Sequence, residues 1–76
     1  MIKSKLGPGL VVRDVKLLES IIDEAITVVG TDYGMVLEYV SDKIVNGHYS
    51  DALKSNALRK GSWYRKKISD TLELRQ

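Results

Sequence analysis

The sequence predicts an all-α protein, a small bundle of about four helices. Three observations point that way. Apolar residues recur at helical spacing from Leu18 to Leu72, breakers and capping residues divide the chain at Gly30, Gly47 and Lys60-Gly61-Ser62, and 76 residues suffice for one domain with one small core.

The elements follow in order. Residues 1–12 carry Gly7, Pro8 and Gly9, a cluster of breakers that predicts a turn or flexible arm. From Asp14 to Val29, the residues Leu18, Ile21, Ile22, Ala25, Ile26 and Val29 form an apolar stripe with Glu19, Asp23 and Glu24 off it. Asp14 suits its N-cap and Gly30 its close, although the β-branched tail Ile26-Thr27-Val28-Val29 leans toward a strand. A second helix is expected from Asp32 to Asn46, with Tyr33, Val36, Leu37, Val40 and Ile44 inward, Thr31 or Asp32 as cap, and Gly47 ending it. Ser50 or Asp51 opens a short third helix carrying Ala52, Leu53 and Ala57, with Asn56 a cap at its end. Ser62 is expected to cap a fourth, on which Tyr64, Ile68, Thr71 and Leu72 share a face. Ser62, Arg65, Lys66 and Ser69 share another, because residues at i, i+3, i+4 and i+7 line up on a helix.

Composition limits the class. Hydrophobic residues make up 43% of the chain, the globular norm, and cysteine is absent, so no disulfide supplements the core. The amino terminus lacks the apolar core of a signal peptide, and no run approaches the roughly 20 apolar residues of a membrane span. These features predict a soluble, cytoplasmic protein. Val15, Leu17 and Val28 widen the apolar face of the first helix beyond what a small core covers, which predicts a homodimer through that helix.

A net charge of +2 conceals strong patterning. From Asp14 to Asp42 seven acids (Asp14, Glu19, Asp23, Glu24, Asp32, Glu38, Asp42) face the single base Lys16. From Lys54 to Lys67, fourteen residues hold six of the twelve bases, no acid, and the only tryptophan. A clustered positive surface attracts phosphate, which makes nucleic acid the leading partner.

The run from Ile44 to Arg65, IVNGHYSDALKSNALRKGSWYR, adds a pattern. A helix ends in Gly47, another opens at Ser50 and carries Ala52, Leu58 stands in the turn, and Ser62-Trp63-Tyr64-Arg65 opens the last helix. This resembles the homeodomain-like helix-turn-helix of phage small terminase subunits and of transposase and recombinase amino-terminal domains, over residues 44–68. A small residue there lets two helices approach, an apolar turn residue plugs the corner between them, and a polar first turn meets the major groove. The family usually has Gly where this chain has Ala57. It also has large apolar residues where this chain has Lys66 and Lys67, so the buried register moves to Tyr64 and Ile68.

The resemblance implies a C-terminal helix-turn-helix over 50–72 that binds duplex DNA, with residues 62–72 as recognition helix. Arg65 and Lys66 would then reach guanine edges, Ser62 would donate to phosphate or base, and Ser69 lies on the same face. Lys54, Arg59, Lys60 and Lys67 would hold phosphates, and Trp63 would lie against sugar or stack on an exposed base.

Catalytic and metal chemistry find no pattern. His48 is the only histidine, no cysteine accompanies it, and a closed metal site cannot be built from it alone, so it is expected at the surface. Asp23 and Glu24 are adjacent and therefore about 100° apart on a helix, which suits solubility rather than acid–base work. Gly7-Pro8-Gly9 lacks the Gly-Lys-Ser/Thr ending of a phosphate loop. The expectation is a non-catalytic DNA-binding protein of phage or mobile-element type, a transcription regulator or packaging adaptor, with no cofactor, no metal and no membrane role. The alternative is a helical interaction module, an inhibitor or accessory subunit, whose acidic first two helices dock on a protein partner.

Overall fold

The computed structural model describes residues 11–75, and the expected arm lies almost wholly outside them. Four helices follow one another: α1 (Val12–Val29), α2 (Tyr33–Val45), α3 (Asp51–Arg59) and α4 (Ser62–Arg75).

Helix α1 begins two residues before Asp14, so that aspartate is not its N-cap. Val11 holds the cap position in extended conformation and provides no side-chain acceptor. Asp14 instead sits in the first turn, where a carboxylate still complements the helix dipole. Its buried Oδ2 accepts a 2.9 Å hydrogen bond from the Ser50 hydroxyl, 36 residues away. The β-branched tail is helical to Val29, because Ile26 and Val29 pack against the core and the Thr27 hydroxyl donates to the Asp23 carbonyl at 3.1 Å. Burial outweighs an intrinsic preference of a few tenths of a kcal/mol per residue. Gly30, at φ 88°, closes the helix by donating its N–H to the Ile26 carbonyl.

Helix α2 is capped as expected by Asp32, which accepts from the Met35 amide at 3.1 Å. Its inward face is Val36, Val40, Ser41 and Ile44. Tyr33, expected in that stripe, is 38% exposed, since as the first helical residue it lies ahead of the stretch that meets the core. Gly47 follows the Asn46 C-cap and donates to the Ile44 carbonyl at 3.3 Å. A Cβ at Gly47 would fall 2.8 Å from the Lys43 carbonyl oxygen, so close approach rather than a special φ requires glycine there.

The Ser50 hydroxyl caps α3 by accepting from the Leu53 amide at 3.1 Å while donating to Asp14, and so ties the starts of α1 and α3 together. Leu53, Asn56 and Ala57 face inward. Asn56 is not a terminal cap; it is buried within the helix and donates its side-chain amide to the Ala52 carbonyl at 3.0 Å. Leu58, expected to plug the helix-turn-helix corner, is 66% exposed. With Leu53 and Ala57 turned inward, the next residue is rotated about 100° away from the core. Ser62 is the first residue of α4 rather than its cap, and the Gly61 carbonyl accepts from the Arg65 amide at 3.0 Å.

Helix α2 is the hub, packing on α1, α3 and α4, while α1 also meets α4. Among the described residues twelve apolar side chains form the core, with Leu18, Ile22, Ile44, Leu53, Tyr64 and Ile68 fully buried. The Tyr64, Ile68 and Leu72 register on α4 matches the sequence reading. The Ser41 and Tyr64 hydroxyls meet inside the core at 3.0 Å, and burial raises the Tyr64 phenol above its ordinary pKa. No helix among the described residues is long and apolar enough to cross a membrane.

Candidate nucleic-acid interface

The basic segment begins on α3, crosses the turn and runs through the first half of α4. Lys60 makes the turn in left-handed conformation (φ 47°, ψ 48°), its N–H bonded to the Asn56 carbonyl, and this leaves the side chains of Arg59 and Lys60 exposed at the corner. On α4, Ser62, Arg65 and Lys66 are exposed and Ser69 half-buried, along the side that Tyr64, Ile68 and Leu72 leave free by turning into the core. The expected face therefore exists as a surface. Glu73, one turn beyond Ser69, is exposed on the same side and limits the positive stretch.

The cations on this surface differ in their engagement. Arg59, Lys60 and Arg65 have no acidic partner among the described residues, and neither does the half-buried Lys54 on α3. Lys66 pairs with Asp70 one turn on, at 3.2 Å, but both side chains are more than half exposed, so water competes and the pair is worth little. Lys67 is different. It leaves α4 on a side about 160° from Arg65 and reaches Glu19 of α1 at 2.6 Å, with only 26% of its side chain exposed. Lys67, named with the phosphate contacts in the sequence, thus ties α4 to α1 and lies off the Arg65 face, because α4 packs on two other helices.

Further along the same seam Arg75 pairs with Asp23. Between α1 and α2, Glu24 accepts from Tyr39 at 2.5 Å and pairs with Lys43 at 2.8 Å. The hydrogen bond from Lys43, then that from Tyr39, lowers the Glu24 carboxyl below its usual pKa, and the same bonds raise Lys43 and Tyr39. Three of the seven acids of the front half are thus spent on bases of α2 and α4. The charge contrast written along the sequence is partly folded back on itself. The corner between α3 and α4 gathers cations that these pairs leave uncompensated.

At that corner lies a recess of about 270 Å³ lined by Asn56, Arg59, Gly61, Ser62, Trp63 and Tyr64. Trp63 is half-buried, one part packed against the core and the rest reaching the surface. Nothing in the sequence announces this recess, which arises where the end of α3 and the first turn of α4 diverge. His48 is exposed, as expected. No protein-family model, no curated protein and no solved structure matches this chain.

Proposed function

We propose that this chain is a small non-catalytic DNA-binding protein of phage or mobile-element type, a regulator or packaging adaptor, that lays α4 against the major groove of duplex DNA. The observation that carries the reading is the set of exposed, acid-free cations Arg59, Lys60 and Arg65 around the α3–α4 turn, adjoining Ser62 and Lys66. In this reading α3, the Lys60-Gly61 turn and α4 act as a helix-turn-helix in which the buried Ala57, rather than the exposed Leu58, is the apolar residue turned inward before the corner. Arg65 and Lys66 meet base edges, while Arg59, Lys60 and Ser62 meet phosphate and fix the register.

Four cations, Arg59, Lys60, Arg65 and Lys66, give a salt dependence for log affinity against log salt of roughly −3 to −4. Fluorescence anisotropy of a labelled generic duplex at several salt concentrations measures it. Arg65→Glu should weaken binding and flatten the slope. No association near 50 mM salt, where non-specific binders normally associate, would refute the reading.

A second reading, docking of α1 and α2 on a basic protein partner, draws on the exposed Val28, Tyr33 and Met35 around the Gly30 turn and on the exposed Glu38 and Asp42 of α2. Charge reversal at Arg65 and Lys66 would leave that activity intact. Self-association through α1 is a companion proposal. Leu17 and Val28 remain exposed on the same side of α1, about three turns apart, and a solution mass of one chain across micromolar concentrations would overturn it.

A further inference from the structure

Phosphate recognition explains the cations at the α3–α4 corner, but it leaves the recess beside Trp63 without a use. A phosphate needs charge and donors, and a regular duplex presents sugar, phosphate and base edges while its base faces are stacked away. The recess offers something else. Its cavity of about 270 Å³ falls just under the roughly 300–1,000 Å³ of drug-sized ligand sites, which suits one small planar ring system. Part of the wall is indole, and apolar surface outweighs polar surface in the lining. Ser62 and Arg59 are the polar residues of the lining whose side chains have no ion-pair or hydrogen-bond partner among the described residues, whereas the Asn56 amide is already donated to the Ala52 carbonyl. That combination of an aromatic surface, a few hydrogen-bonding groups and a nearby uncompensated guanidinium is what a nucleobase with its phosphate requires.

We infer that the recess between α3 and α4 is a binding site for an unstacked nucleobase, which stacks on Trp63 while Arg59 holds the adjoining phosphate. The inference rests on the DNA-binding reading and sharpens it: the preferred ligand has a base outside the helical stack. Such a base comes either from a single strand or from a nucleotide displaced from a duplex. In the second case α4 keeps its place on the flanking duplex. Leaving the stack costs least where a base is already unpaired, so junctions, bulges and strand ends are the favoured targets.

Three labelled DNAs of equal length test this: a thymidine single strand, a perfect duplex, and the same duplex with one extrahelical thymidine. Because Trp63 is the only tryptophan, its emission reports stacking directly. The expected result is a bulged duplex bound at least fivefold more tightly than the perfect duplex, with Trp63 emission quenched by the bulged duplex and the single strand but not by the perfect duplex. If the fivefold gain is confined to the single strand, the base is taken from single-stranded DNA, and if the bulged duplex shares it, a displaced base is accepted as well. In Trp63→Leu, which keeps apolar bulk at a half-buried position, these preferences should vanish. Equal affinity for all three DNAs, or bound single strand that leaves Trp63 emission unchanged, would overturn the inference while leaving the DNA-binding reading in place. Failure of all three to bind at low salt would overturn both.

Discussion

The Ser41–Tyr64 hydrogen bond connects the core to the candidate interface, because Tyr64 lies between Trp63 and Arg65 and anchors the first turn of α4 on α2. Ser41 is 3% exposed and Tyr64 fully buried, so neither hydroxyl has water to fall back on. Ser41→Ala strands the phenol in the core, at a cost of about 1–3 kcal/mol. In a domain of this size that lowers Tm by about 4–8 °C per kcal/mol. Tyr64→Phe should cost less, about 1 kcal/mol, since a helical serine can turn its hydroxyl back to the carbonyl four residues earlier. With both hydroxyls removed no orphan remains, and the double variant should be at least about 1 kcal/mol more stable than the sum of the two single losses predicts. Urea unfolding followed by circular dichroism, with Trp63 emission as a second probe, measures all four proteins. Additivity within about 0.5 kcal/mol would refute the claim that the two groups depend on each other.

Three further predictions concern stability. Glu24 titrates below its ordinary value, so the stability it contributes is present above the unfolded carboxyl's pKa and is lost as pH falls through the lowered folded value; thermal melts from pH 7 to 3 should fall less steeply in Glu24→Gln, and parallel curves would contradict this. Leu58→Ser should change stability by no more than about 0.5 kcal/mol, whereas Ala57→Leu should overpack the α2–α3 contact and cost about 1–3 kcal/mol; the reverse ranking in urea would mean that Leu58 is the inward residue. Gly47→Ala drives a Cβ against the Lys43 carbonyl and the Tyr49 ring, and its Tm should drop, while an unchanged Tm would show that the α2–α3 connection can shift without cost.

Much of the local architecture was legible in the residues. The spacing of Leu18, Ile21, Ile22 and Ala25, the Asp32 and Ser50 caps, Gly30, and the Tyr64–Ile68–Leu72 register all act through neighbours within a turn or two of helix, and such rules operate before tertiary contacts form. The exposed face of Ser62, Arg65 and Lys66 was legible for the same reason. Asp14 shows where this stops: a good capping residue in sequence, it is drawn into a hydrogen bond with a serine 36 positions away.

The sequence by itself determined that the chain is helical, nearly where each helix begins and ends, and that its positive charge is concentrated late, since all three depend on residue type and short-range spacing. Tertiary structure alone decided that Lys67 pairs with Glu19, that Ala57 and not Leu58 turns inward, and that a recess opens beside Trp63. Those outcomes depend on which side of each helix meets α2 or α1, and that choice is made by the packing of residues up to 52 positions apart, a separation at which no local pattern carries information.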